Sequence, residues 1–196
     1  MQIIIAGGSG FIGRHLTLEL QRQGHRVTIL TRDKKGVDGS ANDVIEWDGK
    51  RIEMEPRADC IINLCGERID KNRWTTATKQ RLINSRTQPT QAIVDYIQQY
   101  PGKKKPRLLN ASAIGIYPSH NHPQTEHTTL DNTHALFSQQ LVQQWEHCAM
   151  QARALDAEVT CLDVNVVQVT RPLALAEARR SGGRDRLSSP LGTRWR

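Results

Sequence analysis

The chain has 196 residues, 37% of them hydrophobic, and a formal net charge of +7, enough for one good core or for one domain and part of another. No apolar run approaches the roughly 18 residues of a membrane span, and the N-terminus has neither a basic region nor a small-residue cleavage site, so no membrane partner is expected and the cytoplasm is the default location. The charge suggests nucleic acid until its distribution is read: from Arg171 onward seven arginines face two acids, Glu177 and Asp185, which gives the tail +5 and the remainder only +2, and no basic helix carries interleaved aromatics.

Ile3 to Ala6 opens the chain as a strand, its β-branched run typical of one buried on both faces. It leads into GGSGFIG, Gly7 to Gly13, where G-x-x-G-x-x-G from Gly7 overlaps G-x-G-x-x-G from Gly8. Gly10 to Gln23 follows as a helix with Leu16, Leu18 and Leu20 in a polar stretch. Further strands are expected over Arg26 to Thr31, Val44 to Trp47 and Cys60 to Leu64. Thr75 to Tyr100 reads mostly as helix, interrupted by Pro89. A fifth strand covers Arg107 to Ala111, another helix Ala135 to Leu155, and a sixth strand Glu158 to Leu162. Strand and helix alternating on this scale predict an α/β fold with a doubly wound parallel sheet, the Rossmann arrangement.

A glycine turn between a strand and a helix has a chemical use. Without side chains the backbone can approach a pyrophosphate closely, and the free N–H groups and dipole at the helix start favour anionic charge. Ligands of such sheets bind at the carboxyl ends of the strands, near the point where strand order reverses. The glycine turn, Thr31-Arg32, Asn63 to Glu67 and Ser112 to Tyr117 should therefore converge on one crevice. Where an NAD-binding chain usually carries an acid about 20 residues beyond the turn, this one has Arg32. A guanidinium attracts the 2′-phosphate of NADP, while the adjacent Asp33 keeps NAD open. Asp48 lies where it could accept from the adenine amino group, although a turn with Gly49 explains it almost as well.

Cys60, Cys65, Cys148 and Cys161 form no C-x-x-C pair and read as buried free thiols. His120, His122 and His127 in SHNHPQTEH read as a polar loop, with no metal expected. Lys103 to Lys105, between Pro101 and Pro106, reads as a solvated turn.

GGSGFIG, HRVTILTR, DCIINLCGERI, RW followed by K and SRTQPT, ASAIGIY and the WE of QQWEHC occur here in order. In that order the chain resembles the extended short-chain dehydrogenase/reductase superfamily, within it the epimerase-like branch with its bacterial NAD-dependent epimerase/dehydratase and cell-division-inhibitor-like members, from Met1 to about Leu162. The resemblance implies a dinucleotide-binding domain over residues 1–162 with NADP as cofactor. It puts Gly7, Gly10, Phe11, Ile12 and Gly13 under the pyrophosphate, Thr31 and Arg32 at the adenosine phosphate, and Asp48 near adenine. Leu64, Cys65, Gly66 and Glu67 would run along the ribose and nicotinamide side. Ser112 matches the catalytic serine that hydrogen-bonds a substrate carbonyl or hydroxyl. Relatives also dimerise through long helices such as Thr75 to Tyr100, which implies a homodimer.

Two departures qualify the resemblance. The superfamily's Y-x-x-x-K pair, in which the lysine lowers the tyrosine pKa for proton exchange, falls on Ser138 and Val142, and the close branch shares that absence. Tyr117 is the nearby phenol, either a substitute acid or a residue packed under the sheet edge. Beyond strand six, residues 163–196 lose periodicity and become arginine-rich, as in a frame-shifted or truncated chain whose C-terminal substrate portion is largely missing and whose tail is partly disordered. The expected activity is that of an NADP-binding, epimerase/dehydratase-like oxidoreductase on an unassigned small molecule, a sugar nucleotide being one candidate. The alternative is a regulator that senses NADP without turnover.

Overall fold

Gln2–Ala6 (β1) and Arg26–Thr31 (β2) lie side by side in parallel, with Ile4 opposite Thr28 and Ala6 opposite Leu30, and Phe11–Arg22 (α1) forms the connection between them. The computed structural model describes residues 1–37, 41–53, 57–117, 125 and 136–164. All of these fall within one compact unit, Met1–Asn165. His120, His122 and His127 lie outside the described residues, as does the tail beyond Val164.

Four more strands complete a parallel sheet: Asp43–Glu46 (β3), Cys60–Asn63 (β4), Arg107–Ala113 (β5) and Val159–Val164 (β6), in the order β3-β2-β1-β4-β5-β6. Strand order reverses between β1 and β4, the switch point at which a crevice opens beyond the carboxyl ends. The period-2 alternation of strand side chains divides β1 between two cores. Ile3 and Ile5 join Val27, Ile29 and Ile62 on the α1 face, with Leu16 and Leu20 packed against them. Ile4 and Ala6 join Ile61, Ile93, Tyr96, Ile97 and Leu108 on the opposite face. Leu18, two residues from each of its neighbours in the expected stripe, points away and is exposed.

The second core packs against Thr76–Gln99 (α2) and Phe137–Met150 (α3), the latter followed by a 3-10 turn at Gln151–Leu155. Contrary to the sequence expectation, Pro89 does not interrupt α2, which runs unbroken for 24 residues. Proline lacks the N–H that would reach the carbonyl four residues back, but here it is buried among tertiary contacts. Thr87 Oγ1 donates to Ile83 O at 3.1 Å and Thr90 Oγ1 to Arg86 O at 2.7 Å, tying the turns on either side to the helix. Lys105, expected as part of a solvated turn, donates from Nζ to Gln98 O and Tyr100 O, each at 3.1 Å, and so satisfies carbonyls at the α2 terminus. All four cysteines are free, Cys60 and Cys148 buried, Cys65 and Cys161 only partly so.

Candidate dinucleotide site

The glycines after β1 are placed by sterics. Gly7 has φ +77°, and a Cβ there would lie 3.0 Å from Leu64 O. A Cβ on Gly8 would lie 2.7 Å from Ile29 Cγ1, and one on Gly13 would lie 2.6 Å from both Gly8 Cα and Gly8 O. Gly8 and Gly13 therefore let α1 press against the strand, while Gly7 brings the turn close to β4. Gly10, the N-cap of α1, has no side chain to offer, and the first turn carries no acid. The leading N–H groups of any helix lack intrahelical acceptors, so the α1 N-terminus presents unsatisfied donors and a positive dipole end toward the cleft. A backbone cradle that any Cβ would fill, next to helix-end donors, fits a pyrophosphate.

A cleft of about 560 Å³ opens at this point. It is lined by Gly7, Gly10, Thr31, Arg32, Asp48, Leu64, Cys65, Gly66 and Glu67 of the expected cofactor residues. Phe11 and Ile12 are exposed at the start of α1, and Gly13 is buried beneath it against Gly8. Further residues complete the wall: Ser9, Arg14, Trp47 and Gly49, and from α2, which the sequence reading did not bring to the crevice, Arg81, Asn84, Ser85, Gln88 and Pro89. The α2 set follows the helical i, i+3, i+4, i+7 spacing. That spacing was the available signal, since the N-terminal half of a helix that follows a strand overhangs the strand ends.

Side-chain contacts fix the two walls. On one, Ser9 Oγ and Thr31 Oγ1 share a hydrogen bond of 2.8 Å, and Arg14 Nε donates to Ser9 O at 2.9 Å. Asp33 Oδ1 accepts from Lys35 N at 2.8 Å and so caps the 3-10 turn Lys34–Gly36. Asp48 Oδ1 likewise accepts from Lys50 N at 2.8 Å, with Gly49 at φ +84° completing the turn. On the other wall, Glu67 pairs with Arg81 at 2.8 Å and its N–H donates to Ser85 Oγ at 3.1 Å. Arg86 holds the same loop from below, donating to Glu67 O at 3.0 Å with its guanidinium over the Trp145 ring.

A buried polar network forms the floor. Asn63 Nδ2 donates to Thr90 Oγ1 at 2.8 Å and to Asn110 Oδ1 at 2.7 Å, and Asn63 Oδ1 accepts from Cys65 N at 3.1 Å. Burial pushes the Cys65 thiol up to about 12, so it stays neutral at physiological pH.

The two expected catalytic residues are set apart from the cleft wall. Ser112 lies inside β5, only 2% exposed, and its hydroxyl donates to Glu146 of α3. Burial raises the Glu146 carboxyl above its ordinary range and nearby Asp163 adds to the rise, while the Ser112 hydrogen bond opposes it. Tyr117 donates to Asp163 Oδ2 at 3.0 Å, and Asp163 stands opposite Ser112 in the β5–β6 register. At the positions of the missing tyrosine–lysine pair, Ser138 lies beside Gly115 and Val142 is buried. Glu146, the acid of the WE in QQWEHC, was given no role by the sequence reading, and the structure makes it the partner of Ser112.

A model of the NAD-dependent epimerase/dehydratase family matches residues 3–171. The chain belongs to this family. Epimerase family protein YfhF of Bacillus subtilis is 42% identical over 121 residues, 60% of this chain and 39% of that protein. Epimerase family protein SH2119 of Staphylococcus haemolyticus is 36% identical over 164 residues, 81% of this chain and 52% of that protein. The chain thus spans about half or less of the length of these curated relatives. The crystal structure of human epimerase family protein SDR39U1 (isoform 2) with NADPH matches with a TM-score of 0.72 and 25% identity, covering 92% of this chain and 59% of that one. UDP-N-acetylglucosamine 4-epimerase from Bacillus cereus shares the fold, with a TM-score of 0.65 and 17% identity over 83% of this chain and 59% of that one. In this epimerase/dehydratase family chain the cleft lies at the β1–β4 switch point of the sheet. Among the described residues no helix is long and apolar enough to cross a membrane.

Proposed function

We propose that residues 1–162 form an NADP-binding domain and that the chain is an epimerase-like oxidoreductase of the NADP-dependent kind. The observation that carries this reading is the pair at the end of β2. Arg32 and Asp33 both line the cleft, and Asp33 Oδ1 also accepts from Lys35 N as the cap of the next turn, which engages one oxygen of the carboxylate that would favour the unphosphorylated ribose of NAD. A guanidinium matches a phosphate dianion in charge and fork geometry. The bound nicotinamide would supply the hydride chemistry, and the chain's residues would bind and orient it: the glycine turn and α1 N-terminus at the pyrophosphate, Asp48 toward the adenine, and Leu64 to Glu67 along the ribose. SDR39U1, whose crystal structure contains NADPH, supports the same cofactor. A sugar nucleotide as substrate rests on the fold shared with UDP-sugar epimerases.

Titration of the purified chain with NADPH and NADH, read by nicotinamide fluorescence and by melting temperature, tests the reading, because a ligand that binds only the folded state must raise stability. A preference for NADPH that collapses in Arg32→Glu is expected. Equal affinity for the two cofactors overturns the NADP assignment.

A second reading, an NADP-sensing protein without turnover, is favoured by the buried Ser112, whose proton is committed to Glu146, and by the absence of a phenol or ammonium at Ser138 and Val142. Screening sugar nucleotides and small carbonyls with NADPH separates the two. Cofactor consumption with any of them establishes the enzyme, and binding without consumption favours the sensor.

A further inference from the structure

Four consecutive residues of the cleft wall, Leu64 to Glu67, form a loop that is held from behind by α2. We propose that Arg86 is a positioning residue for the nicotinamide half of the dinucleotide, acting with Gly66 to fix this loop in the shape that receives the ligand. The inference rests on the dinucleotide reading above, with Leu64 to Glu67 on the ribose and nicotinamide side, and adds a residue that does not itself line the cleft.

The main-chain donors of the loop are nearly all spent. Leu64 N donates to Ala6 O at 2.9 Å, Cys65 N to Asn63 Oδ1 at 3.1 Å and Glu67 N to Ser85 Oγ at 3.1 Å. Among the described residues only the Gly66 N–H of this loop has no acceptor, and Gly66 lines the cleft. Arg86 approaches from the other side. Its Nη2 donates to Glu67 O at 3.0 Å, its Nη1 to Leu82 O at 3.1 Å and to Ser85 Oγ at 3.2 Å, and Cζ sits 5.3 Å from the centre of the Trp145 ring. Both main-chain groups of Glu67 are thereby tied to one turn of α2, while its carboxylate pairs with Arg81.

A partly buried cation is costly, and an apolar side chain could fill the same space over Trp145. It could not reach the Glu67 carbonyl, which the guanidinium fork does while also bonding the hydroxyl that receives the Glu67 N–H. Sterics make Gly66 part of the same unit. A Cβ there would lie 3.1 Å from Arg86 Cζ and 3.3 Å from both Nε and Nη2. The guanidinium would have to yield, and its bond to Glu67 O with it, so changes at the two positions should overlap in effect rather than add. The adenine half has other supports: the glycine turn, Thr31, Arg32 and Asp48 line the cleft without receiving any hydrogen bond from Arg86.

The test compares the full chain as wild type, Arg86→Lys, Gly66→Ala and the double variant. NADPH binding is read by nicotinamide fluorescence, and binding of 2′,5′-ADP, the adenine half alone, by calorimetry. Lysine keeps the charge of Arg86 and loses the fork. Losing one charge-assisted hydrogen bond that presets the loop is expected to weaken NADPH binding about ten-fold in Arg86→Lys. Affinity for 2′,5′-ADP should change less than about two-fold, which a general loosening of the fold would not allow and which also shows that the variant is folded. Gly66→Ala should give the same selective loss, and the double variant no more than the worse single one. Equal losses for NADPH and 2′,5′-ADP in both single variants would leave Arg86 a structural role only and overturn the proposal. NADPH affinity in Arg86→Lys within about two-fold of wild type, or losses that add in the double variant, would overturn it as well. Each of these outcomes leaves the dinucleotide reading intact, whereas a wild type that binds neither ligand would overturn both.

Discussion

Thr90 joins the site floor to the helical layer, and its hydroxyl can be removed with little change in shape. The residue is fully buried; Oγ1 accepts from Asn63 Nδ2 at 2.8 Å and from Trp145 Nε1 at 3.1 Å, and donates to Arg86 O at 2.7 Å. Thr90→Val keeps the volume and strands two donors, each at a cost of about 1–3 kcal/mol when buried. The carbonyl of Arg86 still faces the helical N–H of residue 90, so its loss counts for less, and the added methyl returns somewhat under about 1 kcal/mol. The net expectation is a destabilisation of about 2–4 kcal/mol. For a domain of this size that corresponds to a fall in melting temperature of roughly 5–15 °C. Urea unfolding followed by tryptophan fluorescence measures it, with the m-value unchanged if only the native contacts differ. Thr90→Ser, which keeps the hydroxyl, should retain more of the stability. A loss below about 0.5 kcal/mol in Thr90→Val, or a larger loss in Thr90→Ser, would show that the network does not carry the stability assigned to it.

Gly13→Ala places a Cβ 2.6 Å from the Gly8 backbone, which nothing flexible can accommodate, so a destabilisation of at least about 2 kcal/mol is expected by thermal melting, with nucleotide binding lost as α1 is displaced; retained binding and stability would contradict the close packing. The Glu146 carboxyl is raised above its usual 4.5 by burial, so its contribution to stability is full below that value and is lost as pH rises through the higher folded value. The melting temperature of wild type relative to Glu146→Gln should therefore fall as pH is raised above about 4.5, and a flat or rising difference would contradict the burial account. All four cysteines are free and burial raises every one, Cys65 to about 12 and Cys161 to about 11. Ellman's reagent at pH 8 should thus react slowly with the folded chain and rapidly with the unfolded one, and a fast native thiol would show that a thiolate is present.

What could be read from the sequence was the part of the fold that local chemistry determines. The β-branched run Ile3 to Ile5, the glycine spacing and the turn after β2 each have one comfortable conformation, and together they located the switch point and one wall of the cleft. The opposite wall was not legible because Arg81, Asn84, Ser85 and Gln88 become neighbours of Gly7 only after α2 packs across the strand ends, and Pro89 was read as a break although packing keeps it helical. Ser112 shows the same limit at the level of chemistry. Its place near the end of β5 follows from the motif, but the direction of its proton depends on the register of α3, which brings Glu146, eight residues after Ser138, against the strand. A motif can name a serine, yet whether that serine faces substrate or a carboxylate is decided by the packing of a helix more than 30 residues further along the chain. For that reason the proposed dinucleotide half of the site can be argued from backbone sterics and charge, whereas catalysis must be measured as turnover.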